Sequence, residues 1–179
     1  LWWMARWIGF DRVAVLDGGW AKWNAENRAV DSMVPTTKPG AVTARVNSAL
    51  LVQVKEVLEN LEGGSQLVID ARAGERYRGE VEPLDRVAGH IPGAVNRVFK
   101  LNLNDDLTLR APEELRAELT ALIGHRSPAE VVHQCGSGIT ACVNLLAMEH
   151  AGLTGSKLYA GSWSEWSSDS TRPVATGDG

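Results

Sequence analysis

Apolar positions along the chain fall into short runs and helical stripes that take turns, a pattern that predicts a layered α/β domain. Leu50-Leu51-Val52 reads as a short strand. Val54, Val57, Leu58 and Leu61 then recur at helical spacing until Gly63-Gly64, a suitable helix C-terminal cap. Gln66-Leu67-Val68-Ile69-Asp70 reads as a buried strand; a long polar segment from Ala71 to Gly89 follows, then a short strand at Ala94-Val95-Asn96. Pro112 opens a helix with Leu115, Leu119, Leu122 and Ile123 on one face, since proline lacks only an N–H that the first helical turn leaves unused. Val131 to Gln134 is the next strand, and Thr140 to Ala151 the next helix. Strands and helices in this order imply a mainly parallel central sheet flanked by helices. Such sheets gather ligands at the carboxyl ends of their strands, where Asp70 and Cys135 both stand.

An internal repeat gives the domain organisation. Laid without a gap over Leu146–Trp166, the segment Trp3–Trp23 matches Gly9 with Gly152, Gly18 with Gly161, Trp20 with Trp163 and Trp23 with Trp166. Each copy reads as a helix end, a strand and a short helix. The repeat implies two related domains, with residues 1–31 the C-terminal part of the first, 32–45 a linker rich in Pro, Gly and Thr, and 46–179 the second. Tryptophans at this spacing are expected to pack in the core or between domains.

Composition narrows the class. With 18 Lys and Arg against 22 Asp and Glu the formal net charge is −4 and neither sign forms a block, so neither nucleic acid nor an acidic membrane surface is an expected partner. No stretch approaches the ~20 apolar residues of a membrane span. The two cysteines, Cys135 and Cys142, lie in one strand-to-helix segment, which excludes a disulfide framework and fits a reducing compartment such as the cytoplasm.

The chemistry centres on Cys135, which stands where an apolar strand stops, a glycine turn begins and a helix starts. Backbone N–H groups of Gly136 through Ala141 would ring its sulfur, and the positive end of the helix would favour a thiolate. Such a loop also serves cysteine phosphatases, but they need an arginine to close on the oxyanion, and Ala141 occupies that place. Cys142 reads as core.

Asp70-Ala71-Arg72, Arg76-Tyr77-Arg78-Gly79, Gly89-His90-Ile91-Pro92-Gly93-Ala94-Val95-Asn96, the Cys135–Ala141 loop and Gly161-Ser162-Trp163-Ser164-Glu165-Trp166 together resemble the tandem-domain rhodanese sulfurtransferases. The resemblance implies an inactive first domain and a catalytic second one, with the site in the cleft between them. It implies sulfur transfer through a persulfide on Cys135, from a small-molecule donor to cyanide or a thiol, a thioredoxin-like protein among the acceptors, with no metal or organic cofactor. A rhodanese module that only binds partners or stores sulfur is the other reading. Within that family, an uncharged run such as Gly136-Ser137-Gly138 goes with 3-mercaptopyruvate ahead of thiosulfate.

The same resemblance assigns the donor's carboxylate to Arg76, with Arg86 as the second arginine, and the loop residues Gly136, Ser137, Gly138, Ile139 and Thr140 to donor binding. Ser137 either helps move a proton or simply suits the turn, and Thr140 is expected to cap the outgoing helix. Asp70 is expected to orient an arginine or the loop. His90 belongs to a fold motif, and His133, inside an apolar strand, reads as a core histidine.

Overall fold

The computed structural model describes residues 1–178. Helices α1 (Trp2–Trp7) and α2 (Gly19–Ala25) come first, then β1 (Leu51–Val52), α3 (Val54–Gly63), β2 (Leu67–Asp70) and α4 (Gly74–Tyr77). They are followed by β3 (Val95–Asn96), α5 (Pro112–Ile123), β4 (Val131–Gln134), α6 (Ala141–His150), β5 (Lys157–Tyr159) and α7 (Ser162–Trp166). The strands form one sheet in the order β1-β5-β4-β2-β3, and every pairing is parallel.

Alternation along the central strands sorts side chains onto two layers. Leu67 and Ile69 of β2 and Val131 of β4 pack with Leu115, Leu119 and Ile123 of α5 and Met148 of α6. Val68 and Val132 point the other way, onto Val57, Tyr77, Trp163 and Trp166. Burying each large side chain in these layers contributes roughly 1.5–3 kcal/mol. Helix α3 ends as its glycines foretell, with Gly64 left-handed at φ 61°. In the central register Asp70 stands beside Gln134, and the Ala71 N–H donates to the Gln134 carbonyl at 2.8 Å. Ala71 and Cys135 therefore leave the sheet together.

The repeat is visible in the backbone as well. Gly9 and Gly152 are both left-handed, at φ 77° and 72°, and so are Gly19 and Ser162, at 62° and 55°. The strand expected within the first copy does not form, however. Its counterpart β5 is hydrogen-bonded between β1 and β4, whereas no strand among the described residues runs beside residues 13–16, and Val15 and Leu16 are exposed. The tryptophans divide in the same way: Trp3, Trp163 and Trp166 are buried, but Trp20 is 64% exposed. Residues 32–45 carry no helix or strand and lie exposed. At the far end of that segment, the Arg45 and Asn47 N–H groups donate back to the carbonyls of Ile8 and Trp7, tying α1 to the start of the sheet domain.

Candidate active site

Cys135 follows β4 directly and is buried in a cluster with Trp3, Ala71, Ala141, Leu145 and Leu158. Its N–H donates to Ser162 Oγ at 3.1 Å, and that hydroxyl donates to the Tyr159 carbonyl at 2.9 Å. The Cys135 and Gly136 carbonyls accept from the N–H groups of Trp163 and Ser164, at 3.0 and 2.9 Å. The start of α7 thus holds the outer backbone of the loop and fixes which way its peptide planes face. Among the described residues, none of the N–H groups of Gly136 through Ala141 donates to a protein acceptor. Those at Gly136, Ser137, Ile139 and Thr140 belong to residues that line one cavity, at the positive end of α6, where an anion is favoured. Gly138 is left-handed, at φ 78°, and a Cβ there would lie 2.7 Å from the Ala160 carbonyl oxygen. Glycine is required at that position.

A second cluster grows out of the polar segment after β2. Arg72 is buried and clamps Asp70 through Nε and Nη2, the latter at 2.6 Å, while Nη2 also donates to the Gly89 carbonyl at 2.7 Å. Its guanidinium carbon lies 4.7 Å from the centre of the Trp163 ring. Glu82 receives Arg72 at 3.3 Å and Arg76 at 2.6 Å, and Asp85 receives Arg76 at 3.3 Å. Burial raises the Glu82 carboxyl, but the Arg76 bond and the N–H groups of Leu84 and Asp85 outweigh it and hold Glu82 below the usual carboxylate range. These contacts close residues 71–89 over the carboxyl end of the sheet.

Between the two clusters lies a cavity of about 490 Å³, lined by Cys135, Gly136, Ser137, Ile139, Thr140, Ala71, Arg72, Arg76, Asp85, Phe99, Lys100 and Ser164, with Ala73 and Leu84. Among the described residues no group of three or more His, Cys, Asp or Glu side chains is placed to hold a metal ion, and no helix is long and apolar enough to cross a membrane. The model for the rhodanese-like domain matches residues 53–169, a span that takes in the whole sheet except β1, the Cys135 loop, the ionic cluster and the cavity. The chain belongs to the rhodanese-like family.

Relatives and solved structures agree. A probable 3-mercaptopyruvate sulfurtransferase of Pseudomonas aeruginosa is 45% identical over 99% of this chain and 63% of its own length. Thiosulfate sulfurtransferase of Bos taurus is 38% identical over 93% of this chain and 57% of its own. The wild-type structure of EanB superimposes with a TM-score of 0.82 at 27% identity, over 96% of this chain and 42% of that one. A further EanB structure, with ergothioneine covalently linked to a cysteine persulfide, gives 0.82 at 26% identity. This chain spans about three fifths of the length of the curated relatives it matches.

At the cavity the structure brings together Cys135, Gly136, Ser137, Ile139, Thr140 and Arg76, with Gly138 shaping the loop and Asp70 behind it holding Arg72. Arg86 is not among them: its side chain is exposed and does not line the cavity, because the turn through Glu82 and Asp85 carries it outward. Thr140 stands at the N-cap position of α6 but makes no capping bond, since its backbone is already helical, at φ −72° and ψ −21°. His133 is fully buried against Met148, and His90 stacks on Tyr77 with ring centres 3.8 Å apart. Cys142 is half-buried and donates to the Gly138 carbonyl, and burial pushes its thiol up. Sequence reasoning missed Arg72 with Glu82, and Ser162. The pairing of charges inside residues 71–89 has no periodicity to reveal it, and Ser162 read as punctuation of the repeat.

Proposed function

We propose that the chain is the catalytic part of a sulfurtransferase that carries sulfur as a persulfide on Cys135. The observation that carries this reading is a cysteine at the wall of a cavity, followed by six N–H groups with no protein acceptor among the described residues. The Cys135 thiolate attacks the sulfur of 3-mercaptopyruvate, the carbon–sulfur bond breaks, and its electron pair remains on carbon, which takes up the thiol proton to give pyruvate. The persulfide anion then passes its outer sulfur to cyanide or to an acceptor thiol, and the thiolate returns. Gly136 through Thr140 receive the negative charge at each stage, strongest where it develops in the transition state. Thiosulfate, which would leave as sulfite, is the second donor class, and a thioredoxin-like protein is a candidate acceptor. The uncharged Gly136-Ser137-Gly138 run and the Pseudomonas aeruginosa relative favour 3-mercaptopyruvate.

The repeat supports reading residues 1–31 as the end of a preceding rhodanese-like domain, whose remainder would be a partner of this one. The free thiols of Cys135 and Cys142 suit a reducing compartment such as the cytoplasm. Mass spectrometry of the intact protein after incubation with each donor tests the central claim. One sulfur added at Cys135, released as thiocyanate by cyanide and absent from Cys135→Ala, supports it. An unmodified Cys135 with both donors overturns it.

A further inference from the structure

Arg76 reaches the cavity with a guanidinium that is held along one edge only. Nε and Nη2 donate to Glu82, at 3.2 and 2.6 Å, and Nη2 meets Asp85 at 3.3 Å. Among the described residues Nη1 has no acceptor, and it lies 3.7 Å from where a Cβ on Gly136 would stand. The two carboxylates thus aim the open edge at the loop after Cys135, where the anionic group of a donor has to sit beside the sulfur. That aim depends on the placement of residues 80–88, which carry both carboxylates.

The stem of that segment is fastened by the C-terminal residues. Ala175 and His90 exchange backbone bonds of 2.8 and 2.9 Å, and the Gly177 N–H donates to the Arg78 carbonyl at 2.9 Å. Neither tie reaches Cys135. Across the cavity the connection is Trp163, whose indole Nε1–H donates to the Val87 carbonyl at 2.9 Å. Among the described residues no other hydrogen bond or ion pair joins residues 80–88 to residues 135–167. The backbone N–H of Trp163 meanwhile donates to the Cys135 carbonyl at 3.0 Å, and its ring packs on the Arg72 guanidinium, which holds Glu82 from the other side. Trp163 is fully buried, so an indole N–H that lost Val87 would be left without a partner.

We infer that Trp163 is a positioning residue: one buried side chain ties the Cys135 loop to the segment that aims Arg76, and so sets the spacing between the sulfur and the cation that receives an anionic group. That the anion belongs to a sulfur donor rests on the sulfurtransferase reading, and the test separates the two. Cys135 is alkylated at low ionic strength with iodoacetate, which carries a carboxylate, and with iodoacetamide, which has a similar shape without the charge. Peptide mass spectrometry follows reaction at Cys135 apart from Cys142. In Trp163→Phe, which keeps a ring and loses the N–H, the ratio of the iodoacetate rate to the iodoacetamide rate is expected to fall about fivefold, as for one misplaced charge-assisted contact. Arg76→Gln should lower the same ratio, and adding Trp163→Phe to it should change the ratio by less than about twofold, because the tryptophan acts through Arg76. Replacing Trp163 by 3-benzothienylalanine, which keeps the shape of the indole without its N–H, carries the same expectation where the smaller phenylalanine loosens the fold. An unchanged ratio in the benzothienylalanine variant, a further fivefold fall on the Arg76→Gln background, or an equal slowing of both reagents overturns the role of Trp163. The expected pattern in a protein whose Cys135 gains no sulfur from 3-mercaptopyruvate or thiosulfate keeps that role and sinks the sulfurtransferase reading instead.

Discussion

Ser162 Oγ lies 3.1 Å from the Cys135 amide nitrogen and accepts its proton, although the two residues belong to different strand-to-helix turns. The bond is possible because Ser162 is left-handed, at φ 55°, which turns its side chain back over the loop and under the Tyr159 carbonyl. A non-glycine residue in that conformation costs roughly 1–2 kcal/mol, so the bond offsets local strain. Ser162→Ala keeps the strain and loses the bond, and is expected to lower stability by about 1 kcal/mol and the rate of persulfide formation by about tenfold. Ser162→Gly loses the same bond and relieves the strain. Stopped-flow donor reduction with urea unfolding should therefore show equal rate losses, with the glycine variant roughly 1 kcal/mol the more stable. A rate unchanged in both variants would mean that Ser162 does not set the loop.

Arg72 is the keystone of the ionic cluster. Its side chain and that of Asp70 are almost wholly buried, so removing the arginine leaves the Asp70 carboxylate without its cation in a dry place, while Glu82, 3% exposed, keeps Arg76 alone. Arg72→Met is expected to cost about 3–5 kcal/mol. Arg72→Lys should cost at least about 2 kcal/mol, because a single ammonium cannot serve Asp70, Glu82 and the Gly89 carbonyl in one fixed fork. Urea midpoints of the two variants check the order, and a Met variant within about 1 kcal/mol of the parent would remove Arg72 from this role.

The same contacts explain what could be read in the sequence. The strands Leu67–Asp70 and Val131–Gln134 and the helices α5 and α6 announce themselves because their apolar spacing is a local property, and the Cys135 loop because glycines and a helix start are local too. The strand expected in the first copy of the repeat misleads because a strand is completed by its neighbours: the same pattern pairs as β5 in the second copy and, among the described residues, pairs with no strand in the first. Residues 71–89 look like a plain polar loop because polarity does not reveal which charges meet, and only folding brings Glu82 onto two arginines. Arg86 and Lys100 show the reverse side of that limit. Both are single cations in sequence, and the turn geometry alone sends one outward and sets the other on the cavity.

Gly136 and Gly138 are predicted to respond differently to the same change. A methyl group at 138 meets the Ala160 carbonyl on a left-handed backbone, so Gly138→Ala should destabilise by about 1–3 kcal/mol and misplace the N–H groups after Cys135. At 136 the nearest atom to a new Cβ is Arg76 Nη1 at 3.7 Å, an ordinary contact, and Gly136→Ala should stay within about 1 kcal/mol of the parent. Thermal unfolding of the pair decides it, and equal losses would mean that the loop is held by something other than the close approach at Gly138.

His133 makes folding sensitive to acid. It is wholly buried, only its Nε2 has a partner, Met148 Sδ at 3.0 Å, and burial pushes its imidazole from the ordinary 6.5 down to about 3. The folded protein therefore leaves His133 neutral at pH 5, where the unfolded chain has already taken up the proton. Its depressed value means stability that is complete above pH 6.5 and lost as pH falls from there toward about 3, with a slope near 1.4 kcal/mol per pH unit. Between pH 7.5 and pH 5 this one group should remove roughly 2 kcal/mol. His133→Gln cannot take up that proton, so whatever its stability at pH 7.5, its urea midpoint should fall less than the parent's over the same interval. Parallel pH profiles for the two proteins would show that another group, and not the His133 imidazole, governs acid unfolding.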